Sequence, residues 1–362
     1  MRRMKLLAAA GLMALALGAS PAWADGTQAN TTVSNTATLS YQSGGVAQNN
    51  VTSNTATFLV DRKINLTVAE SGGTATLVQG AGVLNQVTTF TVQNTSNQTL
   101  DFALLATNQV TGTAAPFNGA TDSFDVTNIR YYVETGTTPG FDATDTLVTY
   151  LDEVGIDQTR TVYVVADVPA NLPNGAVASV VLTATAREGG TAGGTVGAAI
   201  TATTGADTAG VDTVFADGAG ATDAARDGAF SARDQYTIQA AVLNFIKVAT
   251  VIQDPVNGTT NPKAIPGATV EYCLIVNNTG QTQATAVNVT DNISGQPITY
   301  VANTGLVGGL AVPNGATFAC DQASGNTGSS TGASYTGTTF TGAIGVVPAN
   351  SQRTARFRVT IN

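Results

Sequence analysis

Apolar residues in this chain follow a period of two over many short segments. Val270, Tyr272, Leu274 and Val276 occupy alternate positions, and the C-terminal segment 355–361 repeats the pattern. A period of two places alternate side chains on one face of a β-strand. Similar segments recur along the chain and are bounded by Gly, Asn, Asp and Pro. The pattern predicts an all-β fold of tandem immunoglobulin-like β-sandwiches.

An internal repeat precedes these strands. SNTATLSY begins at Ser34 and SNTATFLV begins at Ser53, with SGGVAQNN between them. The simple interpretation is a β-hairpin, because the Gly-rich connection can reverse the chain. The alternative is that the first copy is a spare strand that adds to the sheet edge of a neighbouring molecule.

The spacing of strand and turn signals divides the chain into four regions. Residues 1–24 are predicted to be a signal peptide, with basic Arg2, Arg3 and Lys5, an apolar run and the small-x-small site Ala22-Trp23-Ala24. Residues 25–188 form an N-terminal β-sandwich with the leading hairpin, and 189–242 a Gly/Ala/Asp-rich linker with a connecting strand. Residues 243–362 form a C-terminal immunoglobulin-like β-sandwich.

Export is the expectation that follows from the signal peptide. Its removal takes away three basic residues and no acidic one, so the net charge moves from −9 to −12. We predict no membrane-spanning segment in the mature chain, which is expected outside the cell or at its surface, with the periplasm as the alternative.

Composition removes several functional classes. Charged residues are 11% of the chain and acidic ones outnumber basic ones, which argues against nucleic acid as a partner. The chain has no histidine, and therefore lacks the usual general base and the commonest zinc ligand. We assign no catalytic, cofactor-binding or metal-binding residue and expect no enzymatic activity.

The last third of the chain resembles a bacterial surface-protein repeat, the domain of unknown function numbered eleven. The resemblance is strongest over 243–362. It rests on a Pro-Gly turn, two strands joined by Asn-Thr-Gly, and a Thr-Asp turn before a Thr-Tyr strand, here Pro266-Gly267, Val270 to Val276, Asn278-Thr279-Gly280, Ala284 to Thr290, Asp291 and Thr299-Tyr300. The resemblance implies an immunoglobulin-like β-sandwich on secreted or surface proteins and implies no catalytic residues.

The two cysteines, Cys273 and Cys320, predict one disulfide in an exported chain. Cys273 is out of phase with Tyr272 and Leu274 and shares a face with Glu271, which we expect to point outward. The disulfide should therefore attach the TFACDQ segment to the outer side of the strand. The alternative, two separate thiols for metal or redox chemistry, lacks a CxxC motif.

Two further groups of residues suggest binding or cross-linking. The aspartates 207, 212, 217, 223, 227 and 234 suggest calcium, although Asp beside Gly is also typical of turns. Lys247, Glu271 and Asn362 are the residue types of a self-formed amide cross-link, which requires Glu271 to be buried beside the amine.

Together these features favour a secreted or cell-surface structural or adhesion-type protein. Its partners would be other surface proteins or copies of itself. The alternatives are an extracellular module that binds glycan or calcium, and a subunit of a surface fibre assembled by strand addition. Tyr131, Tyr132 and Tyr300 are the candidates for glycan contact, with half-buried strand residues as the other interpretation.

Overall fold

The computed structural model describes residues 26–314 and 317–362. All regular elements in these ranges are β-strands. The predicted signal peptide lies outside the described residues. The described ranges hold no helix with the length and apolar character needed to cross a membrane.

The repeat near the N-terminus forms one long hairpin, called the arm below, from Thr32 to Leu59. Its three ladders pair β1 with β6, β2 with β5, and β3 with β4. The strands are β1 (Thr32–Asn35), β2 (Thr38–Leu39), β3 (Gln42–Ser43), β4 (Val46–Ala47), β5 (Val51–Thr52) and β6 (Ala56–Leu59). The hairpin interpretation of the repeat is therefore confirmed within one chain.

The first sandwich packs two five-stranded sheets face to face, in the orders β13-β12-β15-β10-β8 and β14-β11-β16-β18-β9. A short parallel pair, β7 with β17, connects the arm to this sandwich. The strands are β7 (Arg62–Ile64), β8 (Leu66–Glu70), β9 (Thr76–Gln79), β10 (Gln86–Asn94), β11 (Leu100–Asn108), β12 (Thr127–Val133), β13 (Thr146–Val148), β14 (Tyr150–Val154), β15 (Thr159–Asp167), β16 (Val177–Glu188), β17 (Thr213–Phe215) and β18 (Ala229–Gln239).

The core of the first sandwich comes from the alternating apolar positions of both sheets. Phe90, Phe102, Leu182 and Tyr236 are fully buried and belong to one continuous cluster. Phe90 lies in the first sheet and the other three lie in the second. Interdigitation of two inner faces is how a sheet pair removes its apolar side chains from water.

The region 189–242 differs from the expected linker. Its last strand, β18, pairs with β16 over nine positions and with β9 on its other side. Tyr236 and Ile238 of β18 are buried in the first core. Part of this region is therefore integral to the first sandwich, because β18 completes the interior of a sheet. The boundaries of independently folding domains remain a prediction.

The second sandwich has one sheet in the order β19-β20-β28-β22, with β23 also on β28, and a facing sheet β21-β27-β26. A separate hairpin joins β24 and β25. The strands are β19 (Leu243–Gln253), β20 (Thr269–Asn278), β21 (Ala284–Asn292), β22 (Ile298–Tyr300), β23 (Leu306–Gly309), β24 (Ala311–Asn314), β25 (Thr317–Cys320), β26 (Ala333–Thr336), β27 (Thr339–Val347) and β28 (Ser351–Ile361).

Both faces of β20 are buried. Leu274 and Val276 face the core between the two sheets. Cys273 and Ile275 lie on the other face, against Ala311 and Cys320 of the β24–β25 hairpin. Glu271 shares that second face and is only 4% exposed, so the expectation that it points outward is wrong. The disulfide prediction placed the TFACDQ segment on this face, but alternation within β20 did not indicate that Glu271 would be buried there.

The arm and the second sandwich leave the first sandwich at opposite ends. At the base of the arm, Arg62 pairs with Glu188, the last residue of β16. Thr237, just before the second sandwich, lies opposite Val177, the first residue of β16. β16 has twelve residues. A strand of that length extends about 40 Å, which separates the two exits. The prediction of an all-β chain of tandem β-sandwiches with an N-terminal hairpin is confirmed.

Candidate protein interaction surface

The tip of the arm is a two-residue turn made of Gly44 and Gly45. Ser43 pairs with Val46, and both glycines have positive φ, +60° and +82°. This combination matches the type I′ turn, whose twist fits a two-stranded hairpin. Glycine adopts it without steric strain. The sequence therefore fixes where the arm reverses.

One face of the arm carries large apolar side chains in contact with solvent. Val33 pairs with Phe58, and Leu39 pairs with Val51. Leu39 and Phe58 are 60% and 63% exposed. Tyr41 follows Leu39 by two positions and is also exposed. We call these five residues the apolar face of the arm. Contiguous exposed apolar groups of this kind mark surfaces that contact a partner.

The opposite face of the arm is polar but uncharged. Ser34 pairs with Thr57, and Thr38 pairs with Thr52. The whole segment 26–60 contains no Asp, Glu, Lys or Arg, in a chain with a net charge of −9. Charged side chains normally protect exposed strands from pairing with other strands. The arm lacks that protection. The absence of charged residues from this segment could have been recognised in the sequence as the sign of an interaction surface.

The base of the arm is held by a buried asparagine. Asn97 is 8% exposed. Its side-chain amide donates to the carbonyl groups of Thr27 (3.1 Å) and Asp61 (2.8 Å), and its Oδ1 accepts from the Lys63 backbone N–H (2.9 Å). Thr27 and Asp61 flank the arm on its two sides. Asn97 therefore fixes both ends of the hairpin to the first sandwich.

A second anchor uses the aspartate-rich segment. The Arg62 guanidinium donates to Thr213 Oγ1 (3.1 Å) and pairs with Glu188 (2.5 Å). The backbone N–H of Asp212 donates to Asp61 Oδ1 (2.8 Å). The arm is thus joined by side chains to a rigid sheet, while the rest of its length stays in solvent.

Two of the predicted calcium candidates, Asp207 and Asp212, lie at the base of the arm beside Asp61, which was not among the candidates. Asp207 and Asp212 lie with Asp61 so that one carboxylate oxygen of each is within 4.8 Å of the others. Asp212 already accepts hydrogen bonds from the backbone N–H and the hydroxyl of Thr208, both at 2.9 Å. Calcium binding at this cluster remains a prediction.

The other four aspartates do not join this cluster. Asp217 accepts backbone N–H groups of Asp227 and Gly228, and Asp227 accepts that of Ala229. Asp223 accepts from the backbone N–H of Gly220. These contacts are those of turn residues that satisfy the local backbone.

Asp234 is different because it lies inside the first sandwich. It is 2% exposed and shares the inward phase of β18 with Tyr236 and Ile238. Its carboxylate accepts from the backbone N–H of Gln235 (2.6 Å). Burial raises the pKa of Asp234 to about 7, and the nearby charge of Glu70 acts in the same direction. Burial disfavours the ionised form because the carboxylate loses its hydration.

The free edge of β19 is a second exposed feature. β19 has eleven residues and is the outermost strand of its sheet, paired on one side only with β20. Leu243 and Phe245 are 48% and 54% exposed. Lys247 is its single charged residue and binds Asp291 on the facing sheet (2.6 Å). A long edge with one charge and no proline is open to pairing with another strand.

The disulfide and a buried ionic cluster occupy the outer layer of the second sandwich. Cys273 and Cys320 are bonded and are 2% and 3% exposed. On the same face, Glu271 pairs with Arg358 (3.1 Å) and accepts from Gln322 Nε2 (2.7 Å). Gln322 Oε1 also accepts from Arg356 Nη1 (2.7 Å). The disulfide and the cluster both attach the segment around Cys320 to the sheet.

The residues of the suggested amide cross-link are not brought together. Lys247 contacts Asp291, Glu271 contacts the arginines, and Asn362 Oδ1 accepts from Thr299 (2.7 Å). Their partners are different, so the reaction geometry is missing.

The candidate tyrosines are half-buried. Tyr131 Oη accepts from the Ala106 backbone N–H (2.9 Å), and Tyr132 packs edge-on against Phe141 with ring centroids 4.9 Å apart. Tyr300 stacks on Tyr335 at 4.0 Å between ring centroids. These contacts favour the interpretation that they are strand residues at the margins of the cores.

No protein-family model and no curated protein matches the chain. Solved structures similar to it include the C-terminal domain of the AgI/II polypeptide BspA from Streptococcus agalactiae, at 8% identity over 82% of this chain and 91% of that one, with a TM-score of 0.30. The CupB6 tip adhesin from Pseudomonas aeruginosa matches at 11% identity over 83% and 88%, with a TM-score of 0.27. Likenesses at such scores carry no argument about function, and membership of the surface-protein repeat family stays a prediction.

Proposed function

We propose that this chain is an exported structural or adhesion-type protein of the cell surface, and that it acts through protein–protein contacts made by the arm. The observation that carries the proposal is the apolar face of the arm, exposed on a hairpin without charge. Exposing such a surface to water is unfavourable, and burying it against another protein lowers the free energy. No catalytic step is part of this function.

The construction of the arm supports a role in contact rather than in folding. The side chains from Ser34 to Phe58 are all exposed, so the arm adds nothing to either core. Its base is fixed by Asn97 and Arg62 to the first sandwich. A rigidly held, solvent-exposed element presents its surface to a partner without a large ordering cost.

The test compares two charged variants of the arm. Leu39→Glu/Phe58→Glu places two charges on the apolar face, and Thr38→Glu/Thr57→Glu places the same charges on the polar face as a control. In source cells lacking the natural gene, the wild type and the control should be found in the cell-surface fraction. The apolar-face variant should be released into the medium. Equal retention of both variants, or wild type found in the cytoplasm, would refute the proposal.

A further inference from the structure

We propose that the partner of the arm is a second copy of this chain, and that the arm adds to the free edge of β19 in that copy. This inference rests on the proposed function and names its partner. The arm supplies a donor hairpin, and β19 supplies an acceptor edge of eleven residues. Addition of a strand to an open edge satisfies the backbone N–H and carbonyl groups of both.

The two surfaces match in length and chemistry. The first arm strand runs from Thr32 to Ser43, about as long as β19. Leu243 and Phe245 are exposed. They alternate in phase with Val251, which packs against the second core, so all three lie on the same side of β19. An arm strand placed beside β19 with Leu39 on that same side would remove Leu39, Leu243 and Phe245 from water.

Electrostatics favours this contact between two acidic molecules. Each copy has a net charge of −9, or −12 without the predicted signal peptide, so most surfaces of two copies repel each other. The arm has no charged residue, and the only charge of β19, Lys247, is neutralised by Asp291 within its own copy. Contact between the arm and the edge of β19 therefore involves no repulsion between like charges.

The donor and acceptor of one chain are far apart. The arm leaves the first sandwich beside Glu188, and β19 begins beyond the opposite end of β16. The arm is also exposed along its length, so it does not lie on its own body. Pairing therefore joins two copies head to tail. A contact between different surfaces that does not close on itself generates an open filament.

The test uses two variants that block one partner surface each. Leu39→Glu/Phe58→Glu blocks the arm and leaves β19 intact. Leu243→Glu/Phe245→Glu blocks the edge and leaves the arm intact. Their association is measured by analytical ultracentrifugation, and circular dichroism establishes that both are folded. Wild type and the control Thr38→Glu/Thr57→Glu should form polymers.

Each blocked variant alone should be monomeric, and an equimolar mixture should form dimers and nothing larger, because only one functional arm and one functional edge then meet. Self-association of the edge variant alone would overturn the inference, since it requires contact between two arms. A monomeric wild type, or a mixture that stays monomeric, would also overturn it. If surface retention still depends on the apolar face in that case, the proposed function stands with a different protein as partner; if retention is unchanged, both fail.

Discussion

Asp234 should make this protein less stable as the pH rises from 4 to 7. In the folded chain its pKa is raised from 3.8 to about 7 because the carboxyl is buried. Between those values the folded state holds a proton that the unfolded state has released. Stability linked to this group is therefore highest at low pH and falls until the pH passes the folded pKa.

The size of the effect follows from the shift in pKa. Each pKa unit corresponds to about 1.4 kcal/mol, so the shift from 3.8 to about 7 corresponds to about 4 kcal/mol as an upper value. Asp234→Asn keeps the shape of the side chain and cannot ionise. Its free energy of unfolding relative to wild type should rise by up to about 4 kcal/mol between pH 4 and pH 8.

The assay is urea unfolding followed by circular dichroism at unit steps from pH 4 to pH 8. The difference between variant and wild type is the useful quantity, because other carboxylates act in the opposite sense. Backbone N–H groups of Asn257 and Lys263 lower the pKa of Asp254 to about 2, so its contribution is lost as the pH falls toward 2. Asp227→Asn, on the exposed turn before β18, is the control. A difference for Asp234→Asn that stays flat across the range would refute the reasoning.

Three further predictions concern the second sandwich and the arm. Replacing Cys273 and Cys320 by alanine opens a loop with a sequence separation of 47, and should lower the free energy of unfolding by about 4 kcal/mol in urea titrations. Glu271→Gln leaves the buried Arg356 without its carboxylate and should lower it by about 3 kcal/mol. Gly44→Val forces a β-branched residue to positive φ and should increase protease cleavage at the arm tip, with the sandwiches unaffected.

Each of these has a matched comparison. For the disulfide, wild type under reductant should approach the double variant, and equal stability of all three would contradict the loop argument. For Glu271, the comparison is Arg130→Gln, which breaks a pair with Asp167 on a side chain 36% exposed and should change stability by about 1 kcal/mol or less. For Gly44, Ser43→Val at the same tip should leave cleavage as in wild type.

The fold class followed from local patterns. The period of two in Val270 to Val276 identified β20, and the repeated SNTAT segments identified the two sides of the arm. These signals are local, because side-chain alternation and turn chemistry depend on neighbouring residues. They predicted which segments form strands, but not what covers each face.

Contacts between distant segments were not evident from these local patterns. β18 follows an Asp-rich stretch that resembles a linker, yet the inward phase of Phe230, Ala232, Tyr236 and Ile238 assigns it to the first core. Asp234 shares that phase and could have been recognised as a buried acid. For Glu271, the predicted disulfide indicated which segment lies on its face, but alternation within β20 does not show that this segment and two arginines of β28 bury it.

The opposite exits of the arm and the second sandwich determine how tension passes through the first sandwich. A pull on the arm acts through β7 on the start of β8, and a pull on the second sandwich acts on the end of β18. These strands run in the same direction and are hydrogen-bonded to β10 and β16 along their lengths. The force therefore acts parallel to the strands and shears them past their neighbours. Many interstrand hydrogen bonds then resist the force together instead of opening one after another.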